Sequence, residues 1–259
     1  MKSIQLLLLF VSVTLFSQEN IETTFIKKTE LKAQSIVDID NFGTIYYLNK
    51  NTLYKKSDTK TLSYSNIQLN TITSANAFNP LKVNLFYKDF NTIIILDNRL
   101  AEIFKVDFNT SPLYKNVSHT STGYDNTLWV FNQDNQQLEL YDYKANKTRV
   151  SALPIQSNVI DLKSDYNYCW VLTKDYLYQY NYFGSLISKL KNNSFTSMVL
   201  NNGNLVLKAE NTLSYLSKNT QEIIPIKTPK LLINQFLLTN ESLYIYDNEI
   251  LQEFQLKTN

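Results

Sequence analysis

The chain is short of the residues that usually punctuate folds and build reactive centres. Its 259 residues include 4 Gly, 5 Pro, 1 Cys and 1 His. Each shortage excludes something. Gly43, Gly123, Gly184 and Gly203 stand isolated, so no glycine-rich phosphate loop exists. A lone histidine, His119, rules out a multi-histidine metal site, and a Ser-His-Asp arrangement would have to use it. No nucleophile-elbow phrase accompanies it, and "NVSHTST" reads as a polar strand beside a channel. A lone cysteine excludes a disulfide within the chain; Cys169, in the apolar run "YNYCWVLT", reads as a buried thiol acting as a small hydrophobe. Arginine is confined to Arg99 and Arg149, and the net charge is +2 with Lys2 included. Phosphate backbones need concentrated Lys and Arg, so a nucleic-acid partner is excluded. "FIKKTELK" and "LYKKSD" read as solvated strand faces.

What is abundant points to strands. Hydrophobic residues make up 44% of the chain, enough for a core, and 18 Tyr with 14 Phe favour β-structure over long amphipathic helices. With so little Gly and Pro, the turns must draw on Asn and Asp, which tolerate left-handed backbone and hydrogen-bond their own main chain. The length suits one large all-β domain or two smaller ones.

Only one apolar run is long. "MKSIQLLLLFVSVTLFSQEN" carries Lys2, an apolar segment from Ile4 to Phe16, and the small residue Ser17. The segment is shorter than the roughly 20 residues of a spanning helix, and no stop-transfer pattern follows. It reads as a secretory signal over residues 1–17, cleaved near Ser17–Gln18, with a signal anchor as the competing reading. No Cys follows it, so a lipoprotein attachment point is missing. The expected mature chain, 18–259, is extracytoplasmic, periplasmic or secreted, without a stable membrane span.

A phrase then recurs 6 times: "VDIDNFGTIYYLNKNTLYKKS", "LFYKDFNTIIILDNRLAEIFKV", "STGYDNTLWVFNQDNQQLELYDY", "LKSDYNYCWVLTKDYLYQYN", "VLNNGNLVLKAENTLSYLS" and "LLTNESLYIYDNEILQEFQL". Each holds a polar turn, an apolar run, a second turn and an alternating strand. The runs begin about 40 residues apart, a spacing of repeat architectures. They are β-branched or aromatic and separated by hairpin-length turns, so period two fits and period 3.6 does not. A strand precedes each turn: "SIVDID", "KVNLFYK", "VSHTST", "NVIDLK", "FTSMVL" and "NQFLLT". A weaker fourth lies in the connections, as in "TLSYSNI", "SPLYKN", "TRVSALP", "SLISKL" and "EIIPIK".

Four antiparallel strands per unit, repeated about six times, describe the blades of a β-propeller. The last unit ends at "ILQEFQL" without a fourth strand, and "ETTFIKKTEL" has no blade of its own. The N-terminal strand is therefore expected to complete the last blade, covering edges that would invite pairing with other chains. Trp129, Trp170, Tyr46, Ile94, Val206 and Tyr244 hold one place in their runs and are expected in the core between blades. The pattern resembles the secreted six-bladed propellers of the broad TolB-like and NHL-like group over nearly the whole mature chain. The Trp-Asp ends of WD40 units, the double glycine of kelch units and the YVTN phrase are all missing. The resemblance implies a shape and a habit of binding at the faces of the ring, and it assigns no site residue.

Carboxylates are the remaining candidates for chemistry. Asp38, Asp40, Asp89, Asp125, Asp161 and Asp165 recur on or just after the expected first strands, where a propeller lines its channel, and clustered oxygen ligands suit Ca²⁺. The competing reading is that turns simply require Asp. Two functions follow. The favoured one is a non-catalytic extracytoplasmic binding or scaffolding propeller, a monomer or a subunit of a complex, that engages a protein, peptide or glycan in the cell envelope. The alternative is a metal-dependent, Ca-type hydrolase of lactonase-like chemistry that needs several of these acids to converge on one ion. No catalytic, cofactor-binding or metal-ligating residue is assigned, and no cofactor is expected.

Overall fold

Short strands dominate the structure, a computed structural model that describes residues 20–110, 114–240, 242–247 and 249–257. The segment read as a signal and residues 111–113 of "SPLYKN" lie outside the described residues. Strand β1 (Ile21–Glu30) comes first. One four-stranded antiparallel sheet holds β2 (Ser35–Ile39), β3 (Ile45–Asn49), β4 (Thr52–Lys56) and β5 (Thr61–Ser65). A second holds β6 (Ser74–Asn76), β7 (Val83–Tyr87), β8 (Thr92–Leu96) and β9 (Glu102–Asp107). A third holds β10 (Val117–Thr122), β11 (Thr127–Asn132), β12 (Gln137–Asp142) and β13 (Lys147–Ser151). A fourth holds β14 (Val159–Ser164), β15 (Tyr168–Thr173), β16 (Tyr176–Asn181) and β17 (Leu186–Lys191).

The last strands are β18 (Ser197–Asn201), β19 (Asn204–Ala209), β20 (Thr212–Leu216), β21 (Ile223–Lys227), β22 (Gln235–Leu238), β23 (Ser242–Asp247) and β24 (Ile250–Leu256). With β1 they form an eight-stranded sheet of order β18-β19-β20-β21-β1-β24-β23-β22. Strand β1 holds that sheet together. Ile21 and Glu22 pair in parallel with Ile226 and Lys227 of β21, and Thr23 to Glu30 pair antiparallel with Leu256 to Ile250 of β24. First strands neighbour one another in a cycle, β2 with β6, then β10, β14, β18, β22 and back to β2. The arrangement is all-β and propeller-like. No helix among the described residues is long and apolar enough to cross a membrane.

Period-two strands explain the core. Successive side chains of a strand point to opposite faces, so a middle strand feeds two different packing layers. Ile93 and Ile95 of β8 pack with Leu128 and Val130 of β11, whereas Ile94 and Leu96 pack with Tyr46 and Leu53 on the other side. Strand β15 repeats this: Cys169 and Val171 join Trp129 and Leu140, and Trp170 and Leu172 join Met198 and Leu207. Strands β7, β8 and β11 are buried at every position. Of the expected core positions, Trp129, Trp170, Tyr46, Ile94 and Val206 are buried. Tyr244 is only half-buried, because it sits at the smallest layer, where β2 and β3 meet β22 to β24 around Ile36, Tyr246 and Leu251.

The second unit is shifted by one strand from the sequence expectation. "KVNLFYK" forms the second strand and Ile93 to Leu96 the third, while the first is the short polar β6. Two consecutive fully buried strands joined by the tight turn at Lys88–Phe90 present two apolar runs, and the first strand shows none. Turn chemistry follows the glycine shortage. Asn70, Asn91, Asp125, Asn146 and Asn202 all take positive φ, and Asn202-Gly203, at 50° and 80°, forms the two-residue hairpin loop that the strand twist prefers. Lys50, Leu100, Gln136 and Glu210 take positive φ too, since a tight hairpin demands that backbone of whatever residue stands there.

Candidate functional site

The first strands enclose a channel with a cavity volume of about 360 Å³, lined mainly by β2, β6, β14, β18 and β22. Register shifts interrupt three of the first strands at matching places, between Ile36 and Asp38, Val117 and His119, and Val159 and Asp161. A bulge re-aims the side chain beside it. Asp38, His119 and Asp161 therefore hold equivalent positions in β2, β10 and β14.

Their surroundings differ. The Asp161 carboxylate accepts the backbone N–H of Leu162 at 2.8 Å and of Met198 at 3.0 Å, and its Oδ1 lies 3.3 Å from Lys163 Nζ. It thereby links β14 to β18. Gln235 does the same between β22 and β2, its Oε1 accepting the Ile36 N–H at 2.7 Å. Among the described residues, Asp38 accepts only the N–H of its neighbour Ile39, at 2.8 Å. Burial pushes the Asp38 carboxyl up to about 6, with Asp40 adding to the rise and Lys163 opposing it. His119 contacts Ser118 Oγ at 2.9 Å through Nδ1, and burial lowers its pKa against the pull of Asp161.

The fold favours protonated Asp38. Its contribution to stability is full below about pH 4 and is lost as pH rises through about 6. Asp38→Asn keeps the acceptor for Ile39 without the desolvated charge. The variant is expected to gain about 2 kcal/mol at pH 7.5 and nothing below about pH 4, as read from urea unfolding across pH. A stability difference between variant and parent that is the same at both pH values would contradict the assignment.

The other acids serve turns. Asp40 Oδ1 accepts the N–H groups of Phe42 and Thr44, both at 2.9 Å. Asp165 Oδ1 accepts those of Asn167 and Tyr168, both at 2.8 Å. Asp125 takes a left-handed turn position with φ 52°, and Asp89 lies exposed in the Lys88–Phe90 turn between β7 and β8. Only Asp38 and Asp161 line the channel, so the six do not come together. Among the described residues no group of three or more His, Cys, Asp or Glu is arranged to hold a metal ion. Cys169 is fully buried in the layer between the third and fourth sheets, and burial pushes its thiol well up, away from the reactive thiolate.

Two polar constructions were not visible in the sequence. The first strands β6, β10 and β14 are stitched by hydroxyls and amides: Thr122 Oγ1 donates to Asn76 Oδ1 at 2.9 Å, and Ser164 Oγ donates to Ser121 Oγ at 2.7 Å. Away from the channel, Lys115 Nζ meets Glu139 Oε2 at 2.5 Å, and both side chains are buried. Glu139 also accepts from Asn132 Nδ2 and Thr148 Oγ1, each at 3.0 Å.

At the end of the channel where β6 turns into β7 and β14 into β15, a second recess opens. Its cavity volume is about 810 Å³, and it lies between the fourth sheet and the β18–β21 strands. Phe78 lines both channel and recess, reaching past the third sheet to meet Tyr166 edge-on at 5.0 Å between ring centres. Tyr168 and Trp170 form a second aromatic pair at 5.9 Å. Of these residues the sequence marked only Trp170, as core, and Tyr166 within a polar turn.

No family model matches the sequence, and no curated protein matches it. Solved structures do. Catalytically inactive virginiamycin B lyase from Staphylococcus aureus with quinupristin superposes with a TM-score of 0.60 at 11% identity, over 91% of this chain and 100% of that one. A chain of the mitotic checkpoint complex gives 0.61 at 10% identity, over 100% and 99%. PorZ, a bacterial surface component of the type-IX secretion system of Porphyromonas gingivalis, gives 0.54 at 12% identity, over 86% of this chain and 31% of PorZ. At such identities the likeness speaks of fold alone. With the closed cycle of first strands, it identifies the chain as a β-propeller.

Proposed function

We propose that the chain is a non-catalytic extracytoplasmic binding or scaffolding propeller that engages a protein, peptide or glycan partner in the cell envelope. On this reading residues 1–17 are a signal peptide, and residues 18–259 form six blades, the eight-stranded sheet being two blades that share β1. The carrying observation is where polar chemistry is engaged and where it is free. Asp40, Asp161 and Asp165 are bonded to backbone, while the loop end presents open aromatic and amide side chains. That is a surface for recognition. PorZ, a surface component of which 31% of the chain shares this fold, is consistent with such a role.

Affinity purification of the tagged chain from envelope extracts, with and without a calcium chelator, tests the proposal. One stoichiometric partner recovered regardless of chelator is the expected result. Calcium-dependent thermal stabilisation accompanied by lactone hydrolysis would instead establish the metal-dependent enzyme.

A further inference from the structure

We infer that the recess between the fourth sheet and the β18–β21 strands binds a neutral oligosaccharide, an inference that rests on the binding role proposed above and names its ligand class. Sugars present two kinds of surface at once. Ring C–H faces stack on aromatic rings, and vicinal hydroxyls need paired donors and acceptors, which side-chain amides supply. The recess offers both. Phe78, Tyr166 and Tyr168, which line it, are 38%, 43% and 37% exposed. Among the described residues, the Asn167 and Asn219 side chains, also lining it, make no hydrogen bond within the chain, and Gln221 uses only its Nε2, on the Lys218 carbonyl at 3.4 Å. Unbonded amides beside partly exposed rings match a ligand rich in hydroxyls.

Charge argues against an ionic ligand. Asp165 is already bonded to two backbone N–H groups, and Lys218 lays its stem along Gly203, where an added Cβ would meet Lys218 Cδ at 3.2 Å. One engaged carboxylate and one lysine leave the lining close to neutral. A purely apolar peptide is also a poor match, because it would bury amides that have lost water and gained no partner. The volume, about 810 Å³, falls within the usual range of roughly 300–1,000 Å³ for ligand sites and accommodates several sugar units.

The test titrates the purified chain with maltotetraose, cellotetraose, chitotetraose and mannotetraose, with tetragalacturonate as the anionic comparison, and follows tryptophan fluorescence because Trp170 lines the recess. Saturable binding of at least one neutral tetrasaccharide is expected. Tyr166→Ala should weaken it roughly tenfold and Asn219→Ala several-fold, with unchanged unfolding midpoints, while Phe183→Ala, an exposed ring outside the recess, leaves it unaltered. Three results would overturn the inference: no neutral tetrasaccharide saturating at millimolar concentration, binding of tetragalacturonate alone, or selection of peptides whose binding Tyr166→Ala abolishes. If no neutral tetrasaccharide binds but the chain still recovers a stoichiometric envelope partner, the glycan inference falls and the broader binding role stands.

Discussion

A chain lacking residues 20–30 is expected to precipitate, or to melt more than roughly 10 °C below the intact protein without a cooperative transition. The cause is geometric. Strand β1 alone joins β21 to β24, and without it β24 becomes an open edge with Phe254 and Leu256 uncovered. The layer beside it is least able to compensate, being the smallest of the core and held partly by polar clasps. Tyr246 Oη lies 2.8 Å from the carbonyl oxygens of both Leu31 and Ala33, and Gln235 holds Gln34 and Ile36. Losing the strand removes cover from an edge and slackens that clasp together, an effect comparable with the whole stability of a domain, about 5–15 kcal/mol. A synthetic peptide spanning Ile21 to Glu30, added to the truncated chain during refolding, should restore solubility by strand addition. A truncated chain that melts like the intact one would contradict this role.

The second large effect belongs to the buried ion pair. Lys115→Met leaves Glu139, with a side chain 3% exposed, as an uncompensated buried charge. The expected cost is about 3–5 kcal/mol, or a fall of roughly 10 °C in melting temperature. Combining it with Glu139→Gln should recover most of the loss, because the amide can still accept from Asn132 and donate to Thr148. The double-mutant cycle then reports a coupling energy above about 1 kcal/mol. Since the pair is buried, the deficit of Lys115→Met should be the same in dilute and concentrated salt. A salt-sensitive loss below about 1 kcal/mol would place the pair at the surface.

Local pattern made much of this fold legible. "TLWVFN" and "YCWVLT" are apolar runs between turn residues, and each became a strand buried on both faces. The closing role of "ETTFIKKTEL" followed from counting strands, and the antiparallel pairing of β1 with β24 bears it out. The parallel contact of Ile21 and Glu22 with β21 had no such signal, because two residues carry no periodicity. Strand β6, the short "SAN", escaped for the same reason and displaced the second unit by one strand.

The candidate site was less legible because it exists only after the ring forms. Asp residues were visible as turn formers, but the bulges that set Asp38 and Asp161 apart from Asp40 and Asp165 depend on strand pairing. Lys115 and Glu139 lie 24 positions apart and meet through tertiary packing. The recess draws Phe78, Tyr166 and Asn219 from three separate loops, and no spacing in the chain relates them.

Ring closure is tested most directly by a covalent bond across it. Thr24 and Gln255 face each other in the β1–β24 ladder, and both are exposed. With Cys169 buried, the double variant Thr24→Cys, Gln255→Cys should oxidise to an intramolecular disulfide in the native monomer, seen as a faster band on a non-reducing gel. The bond should also raise stability, by up to about 5 kcal/mol for so long a loop. Free thiols after oxidation of the folded monomer, or crosslinking only between molecules, would mean that the first strand does not close the ring.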